Sequence, residues 1–157
     1  MELSTHIAKH LRALYFGGNW TCVNFKEELA GITWEQATTK IHDFNTIAVL
    51  VFHTSYYFDA ALAVLKGEAF HAKDEYSFLL PPINAQEDWE QLVATTWERV
   101  EELALLIEKF PEEKLWDTFV HEKYGNYYRN FNGIIEHSHY HLGQIVLIKK
   151  LLLQTKS

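Results

Sequence analysis

The feature that most constrains this chain is the length of its uninterrupted segments. Between Pro82 and Pro111 no glycine or proline occurs, and apolar residues recur there every three or four positions. That spacing indicates an amphipathic helix, and it predicts a helix over 86–110 that Pro111 ends. The whole sequence contains only 7 Gly and 3 Pro, so turns should be few and elements long.

Other segments share the same helical period. The pattern predicts long helices over 3–16, 45–67 and 130–153, and shorter helical pieces over 25–29 and 34–40. Thr33 and Gln36 have the spacing of a capping box at the start of one short piece. The β-branched run at 47–51 resembles a strand, but it continues to Gly67 without a breaker, and that length favours a helix.

The longest irregular stretch covers residues 68–86, where Pro81 and Pro82 cannot lie inside a helix. A connection of this length can cross the end of a bundle, so consecutive helices need not be antiparallel neighbours. Four long helices in 157 residues predict one all-α domain over 1–157. We expect a four-helix bundle with a long connection between the second and third long helices.

Charge and cysteine content narrow the partners and the compartment. The formal net charge of −7 disfavours nucleic-acid phosphates and anionic lipid surfaces as partners. No uninterrupted apolar run approaches the roughly 20 residues of a membrane span, and the first residues lack a signal-peptide pattern. The single cysteine, Cys22, favours a reducing compartment. We therefore expect a soluble cytoplasmic protein whose partner is a small-molecule substrate.

Two histidine pairs have the spacing that places both rings on one helix face. They are His6/His10 and His137/His141. At about 100° per residue, His137 and His141 fall within the aliphatic stripe of the last helix, while His139 falls on its polar side. The first pair lies at the edge of its apolar stripe, so we interpret it as surface histidine. Two buried imidazoles without partners are costly, and a shared cation would stabilise both.

The best third ligand is His53, in the middle of the apolar second long helix. Taken alone it would be a hydrogen-bonded core histidine, but two core-facing histidines elsewhere favour a common metal site. Three imidazoles leave an open position, which is typical of catalytic sites. They suit Zn or Ni first, with Fe or Cu as alternatives. Tyr57 and Gln144 are candidates to face the substrate or support the ligands, with simple packing as the alternative, and no catalytic residue stands out.

The segment 133–144, which contains His137 and His141, resembles the last-helix signature of the DinB/YfiT-like superfamily of metalloenzymes. The segment 45–53 resembles the helix-two pattern of that family, whose last residue supplies the third histidine ligand, here His53. Together these segments resemble the family in order and spacing. The resemblance implies a four-helix bundle with a three-histidine divalent metal site.

The resemblance also implies a function. Characterised relatives include thiol-dependent S-transferases, so a divalent-metal-dependent enzyme that uses a low-molecular-weight thiol is the leading hypothesis. The alternatives are a non-catalytic metal-binding stress or binding protein, and a metal-dependent hydrolase.

A homodimer is expected from the same resemblance. A second apolar set on the last helix also favours it, unless that set packs within its own chain. The set consists of Ile135, Leu142, Val146 and Leu153.

Overall fold

The computed structural model describes residues 2–154, and these contain helices and no β-strand. The α-helices are α1 (Leu3–Phe16), α2 (Phe25–Leu29), α3 (Trp34–Thr38), α4 (Ile47–Leu65), α5 (Gln86–Glu108) and α6 (Tyr127–Gln154). Short 3-10 helices cover Asp74–Phe78, Glu112–Trp116 and Glu122–Tyr124. The predicted all-α fold is therefore confirmed, together with the long connection between α4 and α5.

Side-chain caps explain where several helices begin. Thr33 and Gln36 form the expected capping box at α3, because each side chain accepts a hydrogen bond from the other's backbone N–H. The Thr46 hydroxyl accepts from the backbone of Val49 at the start of α4. The last helix begins at Tyr127, one turn before the predicted start near residue 130. There the Asn126 side chain accepts from the backbone N–H of Arg129.

The four long helices close a ring. Helix α1 packs against α5, α5 against α4, α4 against α6, and α6 against α1. The long connection after α4 therefore joins neighbours, while the segments between α1 and α4 and between α5 and α6 join opposite corners. The hydroxyl of buried Tyr15 on α1 donates to Ser138 Oγ at 2.9 Å. This hydrogen bond joins α1 to the residue that follows His137 and favours one position of α6 along the bundle axis.

Helix α4 is the most apolar element. Its best window has a mean hydropathy of 1.5, so by length and composition Ile47–Leu65 could cross a membrane. However, 56% of that window is buried inside the bundle, where α4 packs against α5 and α6. We attribute its apolar character to this core position.

The core-facing side of α6 differs from the one predicted. Ile135 and Leu142, assigned above to a second apolar set for a partner, are buried in the chain's own core, and Val146 packs against it. Leu153, the remaining member, is 54% exposed. The middle of the core-facing side of α6 therefore lies beside His137 and His141, and these two histidines lie at its edge. The homodimer stays a prediction, but most of this set does not support it.

Candidate metal centre

Three histidine side chains from two neighbouring helices converge at one side of the bundle. His53 Nε2 on α4 lies 2.9 Å from His137 Nε2 on α6, which lies 3.0 Å from His141 Nε2. His53 and His141 are buried, and His137 is half-buried. The structure thus brings together the three predicted ligands in an arrangement that could hold a metal ion.

The ring of His53 is oriented by a residue from the connection between α4 and α5. Ser77 Oγ, fully buried, lies 2.8 Å from His53 Nδ1 and donates its own proton to the Asp74 carbonyl at 2.6 Å. Because that hydroxyl proton is already used, Ser77 accepts from His53 Nδ1–H. The lone pair of His53 therefore lies on Nε2 and faces the other two rings.

The ring of His141 is oriented in the same way by its own helix. Gln144 Oε1 lies 2.7 Å from His141 Nδ1, and a carbonyl oxygen can only accept. His141 therefore carries its proton on Nδ1 and presents a lone pair from Nε2. Hydrogen bonds of this kind, made by the nitrogen that does not bind the ion, are the usual support of metal-ligating histidines.

The donor set fits a divalent cation. Two Nε2 lone pairs point at His137 Nε2, yet a neutral imidazole has a single N–H and can donate to only one of them. The other contact would then leave an imidazole lone pair without a proton to accept, about 3 Å from the second nitrogen. A cation accepts all three lone pairs at once, as in three-histidine sites for Zn and similar metals. The three histidines would be its ligands.

Electrostatics keep the rings in the form that binds metals. Burial first, and then the neighbouring His141 and His53, lower the pKa of His137 to about 4. Burial also lowers the pKa of His53, with His141 adding to the effect, and lowers the pKa of His141. All three rings are therefore neutral at pH 7, as metal coordination by imidazole requires.

The centre opens into a cleft of about 820 Å³. The Tyr57 ring stands edge-on to His53 and His137, and its hydroxyl donates to Asp74 Oδ1 at 2.5 Å. Phe78 stacks on the His53 ring at 4.0 Å between centroids. Burial and Asp74 raise the pKa of Tyr57 to about 12. Tyr57 and Gln144 both line the cleft, and Gln144 also accepts a hydrogen bond from His141.

The remaining helical histidines lie outside the centre. His6 and His10 are exposed, in agreement with their interpretation as surface residues. His139 is half-buried rather than fully solvated, because its ring packs near His10 with 5.9 Å between centroids. Its Nδ1 lies 3.3 Å from the Ile135 carbonyl.

Sequence reasoning missed the contribution of the connection after α4. Asp74, Ser77 and Phe78 lie in a segment that was expected to be irregular, and they form a 3-10 helix that packs against α4. The one local signal is the acidic pair Asp74–Glu75, which suits the first turn of a helix. Nothing in the local pattern relates this turn to His53, because the contact spans 24 positions.

One of three comparisons with known proteins found a match. A family model described as the DinB superfamily matches residues 20–145, a range that includes all three histidines. Comparison with curated proteins found no match, and neither did comparison with solved structures.

Proposed function

The chain belongs to the DinB superfamily, and from this premise and the three-histidine centre we propose that it is a divalent-metal-dependent enzyme that joins a small thiol to a carbon electrophile. The observation that carries the proposal is the open side of the centre. Among the described residues no fourth His, Cys, Asp or Glu joins the group, and the centre opens into the cleft. A free coordination position is typical of catalytic rather than structural sites.

Each residue around the centre has a role in this proposal. The three histidines would hold a cation such as Zn²⁺ or Ni²⁺, which would lower the pKa of a thiol bound beside it. Ser77 and Gln144 keep two ligand rings in the tautomer that faces the ion. Tyr57 and Phe78 cover the ligand rings with aromatic surface and limit the access of water from that side.

The reaction is a nucleophilic substitution. The thiol sulfur forms a bond to the electrophilic carbon, and the leaving group departs with the electron pair of the bond that breaks. The thiol proton passes to solvent. This chemistry needs a reactive sulfur and an open approach for the second substrate, and the cleft has room for both.

Two other functions use the same residues. A metal-dependent hydrolase would activate water instead of a thiol, and a non-catalytic bundle would need the ion for stability alone. The volume of the cleft favours an enzyme over the non-catalytic bundle. An ion that only supports the fold needs no access for a substrate. The choice between thiol and water rests on the resemblance to thiol-dependent transferases.

The test uses Zn-loaded protein with two substrate pairs. One is a small thiol with monochlorobimane, and the other is p-nitrophenyl acetate in water. We expect conjugation of the thiol, abolished by His137→Gln and retained by His139→Gln, which changes a histidine of the same helix outside the centre.

Three results would contradict the proposal. Ester hydrolysis without conjugation would favour the hydrolase. Turnover of neither pair by protein that binds Zn, together with unfolding on chelation, would favour a structural ion. Wild-type protein that binds no divalent cation would remove the basis of all three functions.

A further inference from the structure

We propose that the substrate of this cleft carries a carboxylate, which Arg129 and Lys123 bind at the end of the cleft remote from the histidines. The inference rests on the proposed function only in placing the reactive end of the substrate at the metal. It begins from two cationic side chains that line the same cleft as the three histidines, in a chain whose formal net charge is −7.

Arg129 differs from the other arginines of the chain. Arg12 binds Glu101 and Glu108, and Arg99 binds Asp59 and Glu102. Arg129 forms no ion pair with any described residue, and its guanidinium donates only to the Tyr124 carbonyl at 3.2 Å. A guanidinium has five N–H donors in a planar fork that suits a carboxylate. Most of these donors are therefore free on the side of the cleft.

The backbone at Gly125 leaves room for the Arg129 stem. Gly125 has a φ of +75°, in the region that favours glycine. A Cβ on Gly125 would stand 2.9 Å from Arg129 Cδ and 3.3 Å from its Nη1. Only a residue without a side chain leaves room for the arginine stem to lie there. Arg129 is exposed, and its stem passes over this glycine while its guanidinium donates to the Tyr124 carbonyl.

Lys123 adds a second positive charge to the same end. Its Nζ lies 4.7 Å from the centroid of the Tyr124 ring, and it forms no ion pair with the described residues. Two carboxylates, Asp74 and Glu136, also line the cleft. Asp74 accepts from Tyr57, and Glu136 stands about 10 Å along α6 from Arg129, at 1.5 Å per residue. Neither acid neutralises the cationic end.

The space between the cations and the histidines is open. Gly133 lines the cleft in the interior of α6, and a Cβ there would meet no atom within 4 Å. Glycine inside a helix is destabilising relative to alanine, and packing within the chain does not require it here. The body of a substrate would lie above this glycine. Arg129 and His137 are eight positions apart on α6, which corresponds to a rise of about 12 Å. The carboxylate and the reactive end of the substrate should be similarly far apart.

The test uses ω-mercaptooctanoate as the probe and its neutral amide as the matched control. Arginine Nε–H signals are recorded by NMR on ¹⁵N-labelled, Zn-loaded protein, in which Arg12 and Arg99 are internal controls because both are already paired. We expect the acid to shift the Arg129 signal and the amide to leave it unchanged. The acid should also bind about tenfold more tightly than the amide, as a charge-assisted hydrogen bond provides.

Variants sharpen the assignment. Arg129→Gln should abolish the preference for the acid, Arg129→Lys should retain part of it, and Lys114→Gln, outside the cleft, should not change it. Unchanged melting curves show that the variants fold. An Arg129 signal that does not respond to the acid, or a preference that survives Arg129→Gln, would overturn the inference.

A parallel titration of Co²⁺-loaded protein keeps this result distinct from the proposed function. It follows the charge-transfer band of a thiolate bound to cobalt. If the band appears with acid and amide alike and the Arg129 signal is silent, only the carboxylate inference fails. If no band appears while the Arg129 signal shifts, the thiol proposal fails and the anion site stands.

Discussion

Replacing Ser77 with alanine isolates the contribution of the connection after α4 to the metal centre. Ser77 is fully buried, and its Oγ makes two hydrogen bonds, one from His53 Nδ1 at 2.8 Å and one to the Asp74 carbonyl at 2.6 Å. The variant would leave the Nδ1–H of His53, a side chain only 3% exposed, without this partner. The His53 ring would then lose the bond that directs its Nε2 toward the ion.

The magnitude follows from these contacts. Leaving a buried donor unpaired costs about 1–3 kcal/mol, so metal-free Ser77→Ala should be less stable than wild type by that amount. Loss of a partner that orients a ligand histidine typically lowers metal affinity by about 10–100-fold. That ratio corresponds to about 1.4–2.7 kcal/mol, which agrees with the cost of the lost bond.

Ser4→Ala is a matched control. Ser4 is as buried as Ser77, but its Oγ has no hydrogen-bond partner among the described residues. Urea unfolding of the metal-free proteins measures stability, and competition with a chelator measures Zn affinity. Ser4→Ala should match or exceed wild type in both. Zn affinity of Ser77→Ala within twofold of wild type, or an equal loss in both variants, would refute the reasoning.

Three further predictions use the same structure. Gly133→Ala and Gly143→Ala should each stabilise α6 by about 0.5–1 kcal/mol in thermal unfolding, since neither Cβ meets an atom within 4 Å, but only Gly133→Ala should weaken binding of ω-mercaptooctanoate. Metal-free protein should lose stability as pH falls from about 6.5 towards 4. In that range the unfolded chain protonates its histidines, whereas folded His137, with a pKa of about 4, stays neutral. Unfolding measured at pH 7 and pH 5 should show a smaller loss in His137→Gln. Light scattering should give a dimer mass at micromolar concentration, and a monomer mass would remove the oligomer prediction.

The sequence by itself determined the helices and the three histidines that converge at the candidate metal centre. Helical period, scarce breakers and caps such as Thr33 act over a few residues, so they can be recognised without knowing the fold. The facing of His137 and His141 followed from the same periodicity, because residues four apart share one face of a helix. His53 could be chosen because a histidine in an apolar helix needs a partner.

The tertiary structure alone decided what surrounds the three histidines. Ser77 contacts His53 across 24 positions and Arg129 lines the same cleft as the three histidines, although neither relation leaves a periodic mark in the sequence. The same holds for Ile135 and Leu142. Their apolar side chains suit a partner surface as well as a core, and only the ring of four helices decides that they are buried. Periodicity reports which residues share a face, whereas contacts between distant segments decide what that face meets.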